Sequence, residues 1–262
     1  MAIHTFVVLA YKQSQFLETC IKSVLNQSYK SQVIIATSTP NPYIYDLANK
    51  YHLDVKVNNG KHGIGYDFDF AVNAANTELV TVAHQDDVYD YEYAQEMVEA
   101  YKKQKQSIII FPDYYEIKHG KDKVYKNTNL NIKQILLFLL RFHGWSNRRL
   151  IKRSALRFGN AISCPAVTFV KANTSNEIFS SNMKSNVDWL AWERLSKRKG
   201  YFYYIHKPLM GHRIYSESTT SEIIGDNLRT IEDFEVLKLF WPKPIAKVIA
   251  KVYSNSEKSN DM

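Results

Sequence analysis

The stretch Leu79-Val80-Thr81-Val82-Ala83-His84-Gln85-Asp86-Asp87 decides the fold. Its apolar, β-branched opening reads as a buried strand, and the strand surfaces into two adjacent carboxylates. Open α/β sheets bind ligands in the crevice beyond the carboxyl ends of their strands, and a pair of acids there can hold a divalent cation against a phosphate. The pattern repeats on both sides. Thr5 to Ala10 is strand-like, and Ser14 can cap a helix whose Leu17, Cys20, Ile21, Val24 and Leu25 recur at helical spacing. Val33 to Ala36 and Leu53 to Val57 read as strands, Pro42 to His52 and Tyr66 to Asn76 as helices. Tyr91 to Lys103 and Ser107 to Phe111 add a helix and a strand. Strands alternating with helices predict an α/β fold with a mostly parallel central sheet flanked by helices.

After Phe111 the rhythm changes. Tyr114 to Lys118 and Lys123 to Tyr125 flank His119-Gly120 as a hairpin, and an apolar-basic helical region follows. Trp189 to Lys199 reads as a helix ended by Gly200, which puts Asp188 at its amino terminus, and Tyr201 to His206 reads as an aromatic strand. Asn227 to Phe240 and Ile245 to Tyr253 read as helices broken by Pro242 and Pro244. The expected organisation is a domain over 1–226, with a nucleotide-binding half (about 1–112) and an acceptor-binding half (113–226), and a helical extension over 227–262.

With 262 residues and 45% apolar content, the chain can bury a sizeable core. Cys20 and Cys164 show no metal-ligand spacing and read as reduced thiols of a cytoplasmic protein. No apolar run approaches the ~20 residues that span a bilayer, and the amino terminus does not read as a signal peptide. Lys and Arg number 34 against 26 Asp and Glu, a net charge of +8 that attracts polyanions. Arg141, Arg148, Arg149, Lys152, Arg153 and Arg157 fall in an acid-free window just after Ile135 to Leu140. That adjacency points to an anionic membrane surface, although a core helix beside a solvated basic face has the same composition. Ile245 to Tyr253 adds a second basic amphipathic element. No helix-turn-helix, zinc or aromatic RNA-binding signature accompanies the charge, so no specific nucleic acid is expected.

Four segments in order over residues 3 to 220 resemble a family 2 nucleotide-sugar glycosyltransferase of the GT-A fold. Phe6-Val7-Val8-Leu9-Ala10-Tyr11, with Phe16-Leu17-Glu18 and Ser23 to Tyr29, is similar to the family's first strand and helix. His84-Gln85-Asp86-Asp87 takes the place of its acidic metal motif. Val187-Asp188-Trp189 with Trp192 to Leu195 resembles the dipeptide and helix that supply the catalytic base. His212-Arg213-Ile214-Tyr215 through Thr220 resembles the late loop that closes over the diphosphate. The resemblance implies an inverting transfer from a nucleotide-sugar, UDP-sugar by default, to a glycan acceptor, lipid- or protein-linked. It also suggests bacterial glycan assembly.

On this resemblance Asp86 and Asp87 hold Mn²⁺ or Mg²⁺ and Asp188 is the general base; the residues alone also allow Asp87 and Asp188 as helix caps and Asp86 as a loop acid. Donor contacts are expected from Ala10, Tyr11, Thr37, Ser38, Lys61, Asp69, His84, Gln85, His212 and Arg213. Acceptor contacts are expected from Ser163, Cys164, Pro165 and Trp189. Three departures stand out. His84 replaces an acid of the metal motif, Thr37-Ser38-Thr39 replaces acidic base readers, and Tyr215 stands where relatives often carry a metal-binding His.

The expected location is cytoplasmic, peripheral at the inner face of the plasma membrane, and the aromatic-rich carboxyl-terminal half offers a surface for a homo-oligomer. Two alternatives stay open. One is a catalytically silent glycan-binding or scaffold protein of the same fold. The other is a sugar-1-phosphate nucleotidyltransferase, disfavoured because Ala10 to Ser14 lacks the Gly-rich loop such enzymes carry after their first strand.

Overall fold

A computed structural model describes residues 2–118, 122–215 and 228–258, with side chains as far as 252 in the last segment. The first half alternates: β1 (His4–Ala10), α1 (Leu17–Leu25), β2 (Gln32–Thr37), α2 (Pro42–Tyr51), β3 (Asp54–Val57), α3 (Ile64–Ala74), β4 (Leu79–His84), β5 (Val88–Tyr89) and α4 (Tyr93–Lys103). Local chemistry sets the ends. Asn41 caps α2 by accepting from the Ile44 amide at 3.1 Å, with Pro42 in its first turn, and His52 closes the helix in the left-handed conformation. Along β1 the side chains alternate between two cores. Phe6, Val8 and Ala10 pack with α1, α2 and α4, whereas Val7 faces the side covered by α3 and the carboxyl-terminal helices.

The second half contains β6 (Ser107–Lys118), β7 (Asp122–Val124), α5 (Thr128–Leu137), α6 (Arg149–Ser154), β8 (Thr168–Val170), α7 (Val187–Ser196), β9 (Tyr201–Arg213), α8 (Leu228–Leu237) and α9 (Lys243–Lys258). The sheet order is β3-β2-β1-β4-β8-β6-β9-β5, with β7 on β6. Strands β3, β2, β1 and β4 are parallel, as expected. Beyond them β8 enters antiparallel to both β4 and β6, and β6 runs parallel to β9. The sequence reading missed β8 because Thr168–Val170 is too short to show a period. It split β6 in two because Pro112 and Asp113 interrupt the apolar run; the strand passes through them with shifts of register. The expected hairpin is present as β6 and β7, while the turn at His119-Gly120 lies outside the described residues.

Strand β9 also runs past His206 to Arg213, which carries His212 and Arg213 to the end of β4. Helices α8 and α9 contribute Val236, Leu237, Ala246 and Ala250 to the core that contains Trp189 and Trp192. At the start of β1, fully buried His4 pairs with Ser31 at 2.7 Å and Thr81 at 2.9 Å, and burial lowers its pKa to about 3. Among the described residues, no helix is long and apolar enough to cross a membrane.

Candidate active site

The turn after β4 carries the acids. Gln85 is turned back onto β1, accepting from the Tyr11 amide at 2.9 Å and donating to the Tyr11 carbonyl at 3.1 Å. That bracing leaves the Tyr11 ring half-exposed at the strand ends. Asp87 is fully buried; its Oδ1 accepts from the Arg213 amide at 2.9 Å and from His212 Nδ1 at 3.1 Å. Arg213 Nε donates to the Asp86 carbonyl at 2.9 Å, and its guanidinium lies 4.2 Å over the Phe16 ring. Tyr215 donates to Asp86 Oδ2 at 3.1 Å. The end of β9 is thus laced onto the acidic turn, and the predicted late loop begins there; its residues 216–220 lie outside the described residues.

Burial, then the Asp87 charge, pushes the Asp86 carboxyl up, and burial lowers the His84 imidazole. For His212 burial opposes protonation, but the Asp87 and Asp86 carboxylates outweigh it and raise its pKa. Ligand atoms of His84, Asp86 and Asp87 lie within 4.8 Å of one another. His84 Nε2 and Asp87 Oδ2 are buried without a hydrogen-bond partner. Orphaned buried acceptors carry a desolvation cost that a cation would relieve, so one imidazole and two carboxylates fit a divalent metal.

The donor-side residues gather around the ends of β1 and β2. Ala10 is buried beneath Tyr11, and the Lys12 amide, at positive φ, donates to Thr39 Oγ1 at 2.6 Å. Buried Thr37 accepts from the Thr39 amide at 3.0 Å. Ser38 donates to Asp67 Oδ2 at 3.0 Å, and Asn58 donates to Asp67 Oδ1 at 2.8 Å and to the Lys61 carbonyl at 3.1 Å. Asp67 therefore restores a carboxylate beside the strand end where Thr37-Ser38-Thr39 offers only hydroxyls. The sequence reading named Asp69 instead. Two helical positions on, Asp69 faces away and accepts from the amides of Ile178, Phe179 and Ser180 at 2.7, 2.9 and 2.8 Å. Its role is to anchor that loop. Helix α3 meets the loop at Gly65, where a Cβ would stand 2.6 Å from the Phe179 carbonyl oxygen.

Asp188 lies in the first turn of α7. Its Oδ1 accepts from the Trp189 amide at 2.8 Å and its Oδ2 from Asn160 at 2.7 Å. Burial raises its pKa, and these two donors offset part of the rise. Glu232 of α8 accepts from the amides of Lys184, Ser185 and Asn186 at 2.7, 2.8 and 3.0 Å, and Asp233 from Asn186 Nδ2 at 2.8 Å. The helical extension thus seats the start of α7. Of the acceptor candidates, Ser163, Cys164 and Pro165 form the turn before β8, and the Pro165 carbonyl takes a hydrogen bond from Tyr89. Burial pushes the Cys164 thiol up, and the charges of Asp188 and Asp87 add to the rise. Trp189 does not line the cleft: it is fully buried, with Nε1 donating to the Leu156 carbonyl at 3.0 Å. Following Asp188 at the helix start, Trp189 turns into the core, an environment of packing and not of the open acceptor surface expected for it.

A parallel half-sheet with acids closing its central strand, and a carboxylate held by two hydrogen bonds at a helix start, are features of a GT-A glycosyltransferase. Residues 5–161 match the model of glycosyl transferase family 2, and the chain belongs to that family. No curated protein sequence matches it. Among solved structures, S. aureus TarS 1–349 in complex with UDP-GlcNAc is similar at TM-score 0.65 and 14% identity, over 95% of this chain and 70% of that one. A structure of S. aureus TarS matches at TM-score 0.62 and 14% identity over 95% of this chain, which spans 42% of that chain. The mannosyltransferase PcManGT from Pyrobaculum calidifontis, with GDP-Man and Mn²⁺, is similar at TM-score 0.61 and 11% identity, over 95% of this chain and 73% of that one. At such identities the likeness is one of fold.

Proposed function

We propose that the protein is an inverting glycosyltransferase moving a sugar from a nucleoside diphosphate-sugar, UDP-sugar by default, to a hydroxyl of a glycan carried on lipid or protein. The observation that carries this reading is the acidic turn at the end of β4, where ligand atoms of His84, Asp86 and Asp87 lie within 4.8 Å of one another and the end of β9 closes on Asp87 through His212 and Arg213. A base and a turn that holds a diphosphate are what the reaction needs.

Asp188 takes the proton of the acceptor hydroxyl while the acceptor oxygen bonds to the anomeric carbon. The bond from that carbon to the diphosphate oxygen breaks on the opposite face, and the nucleoside diphosphate leaves with the electron pair. Burial makes the Asp188 carboxylate more basic, and such catalysis contributes ~10²–10⁴ in rate. His84, Asp86 and Asp87 would hold the metal, Mn²⁺ or Mg²⁺. A divalent cation bound there neutralises the charge that develops on the departing diphosphate. Arg213, fixed over Phe16, adds positive charge on the same side. The exposed Tyr11 ring gives a base a face to stack on, with Ser38 and Asp67 along its edge. UDP-GlcNAc and GDP-Man in the similar structures support a nucleotide-sugar donor, and Mn²⁺ in one supports the metal.

The test is a thermal-shift panel of uridine, guanosine, thymidine and cytidine diphosphates, with and without Mn²⁺, beside Asp86→Ala. Ligand at ~100 times its dissociation constant stabilises by ~2.7 kcal/mol, a rise of several degrees. A metal-dependent rise with one diphosphate, lost in the variant, is expected. Folded protein that responds to none of them would favour the silent binding-module alternative.

A further inference from the structure

A helix that packs on a sheet normally turns its apolar stripe inward. Helix α5 and the turn that follows it do so only in part. Leu130, Leu137 and Leu140 are buried, yet Ile135 is 73% exposed, Phe138 48%, Phe142 48% and Trp145 50%, and Leu150 at the start of α6 is 82% exposed. The aromatic members touch one another, with ring centroids 5.6 Å apart for Phe138 and Phe142 and 5.8 Å for Phe142 and Trp145. This is a connected exposed apolar surface, not scattered single residues.

The segment that carries it has charge of one sign. Every charged side chain between Asp122 and Glu177 is a lysine or arginine. Arg141 stacks on Phe138 and Arg148 on Trp145, at 5.6 and 5.8 Å, and Arg149 is exposed beside Leu150. A second arginine–aromatic group stands at Arg157, which lies 5.0 Å over Phe158 and 5.7 Å over Trp241, at the turn between α8 and α9. Arg153 is committed elsewhere, to Glu193 and the Leu239 carbonyl. On α9, exposed Val248 and Val252 lie among Lys247 and Lys251.

We infer that this face docks on a lipid bilayer carrying acidic phospholipid, with Phe138, Phe142, Trp145 and Leu150 entering the interface and Arg148, Arg149 and Arg157 on the headgroups. Charge complementarity selects this occupant. A second copy of the chain would bring the same arginines against one another, whereas an anionic surface pairs with all of them at once. Half-exposed aromatic rings flanked by arginine suit the headgroup level, where a ring is partly in hydrocarbon and its cation is in water. Asn160, which donates to Asp188, follows exposed Phe158 by two residues, so this surface and the candidate base are joined by a short stretch of chain. The surface stands on its own observations and does not depend on the transfer reaction.

Flotation with vesicles of phosphatidylcholine alone, and of phosphatidylcholine with 30% phosphatidylglycerol as a roughly physiological anionic fraction, tests it. The protein is expected to float only with the anionic vesicles and to be released by raised salt. Arg148→Glu/Arg149→Glu and Phe142→Ser/Trp145→Ser should each weaken binding by tenfold or more, with thermal midpoint and nucleotide response unchanged. Those controls separate failure of this surface from failure of the enzyme reading. Folded protein that ignores anionic vesicles overturns the inference, as does binding that neither variant weakens. A stable dimer in which Trp145 is shielded and vesicle binding is absent would assign the face to a second copy and overturn it equally.

Discussion

Glu232 accepts the amide of Asn186 at 3.0 Å, two residues before Asp188. Both of its oxygens serve the 184–186 segment, so a helix near the end of the chain fixes where α7, with Asp188 in its first turn, begins. Burial pushes the Glu232 carboxyl up, but the amides of Lys184, Asn186 and Ser185 more than offset it and the pKa falls below the ordinary value. A carboxylate with a depressed folded pKa stabilises the protein above its unfolded pKa, and that contribution is lost as pH falls through the folded one. Glu232→Ala should cost ~2 kcal/mol, roughly 4–8 °C in melting temperature. It should lower kcat about tenfold while donor KM changes little, because the base loses its seat and the donor pocket does not. Steady-state kinetics beside a melting curve check this; a KM effect alone would make Glu232 a donor-side residue.

Asn160 should tune the base. Its Nδ2 donates to Asp188 at 2.7 Å and favours the ionised carboxylate, the form that can take a proton. Removing it in Asn160→Ala raises an already elevated pKa further. The acid limb of the kcat/KM profile therefore moves to higher pH, by about one pH unit for a lost hydrogen bond of ~1.4 kcal/mol. Asp188→Asn should lose the limb altogether, with activity down ~10²–10⁴. An acid limb unmoved in Asn160→Ala would assign it to another group.

How much of this was legible follows from which residues act locally. The first half of the sheet was, because Thr5–Ala10 and Leu79–Ala83 are apolar runs bounded by polar turns. The positions of the acidic turn and of Asp188 were, because a strand end and a helix start are local features. Asp67 was not distinguishable from Asp69 by type or neighbourhood; about 200° of helical rotation separates them, and only packing tells which faces β2. Glu232 and Asn160 act across 46 and 28 residues of sequence, distances over which a single chain carries no pattern. Trp189 misled because it adjoins the candidate base Asp188, whereas helical geometry turns it into the core.

The Asp69 reading has its own check. Four hydrogen bonds run from the 178–180 segment to its carboxylate, including one from Ser180 Oγ at 2.6 Å. Asp69→Ala leaves three buried or half-buried amides unpaired, so a loss of ~3 kcal/mol or more is expected. At a temperature where the variant stays folded, its affinity for the nucleoside diphosphate should be within about twofold of wild type. Calorimetric titration decides; a large loss of affinity in a folded variant would return Asp69 to the donor pocket.

His84 should set which metal the acidic turn prefers. An imidazole nitrogen suits later first-row ions, while Mg²⁺ favours oxygen ligands and holds its waters tightly. His84 Nε2 is buried without a partner beside two carboxylates, and burial keeps the ring neutral, the ligating form. With the nucleoside diphosphate present, Co²⁺ and Mn²⁺ should therefore bind tighter than Mg²⁺ by about tenfold or more. His84→Asp replaces nitrogen by oxygen and should narrow that gap, chiefly by strengthening Mg²⁺. Titration calorimetry gives the affinities without recourse to turnover, and the visible spectrum of bound Co²⁺ reports the change of donor atom directly. Equal affinities in wild type, or a Co²⁺ spectrum unchanged by the substitution, would place His84 outside the coordination shell. Its orphaned nitrogen would then face the donor's ribose, and the variant's loss would fall on nucleotide affinity in the absence of any metal.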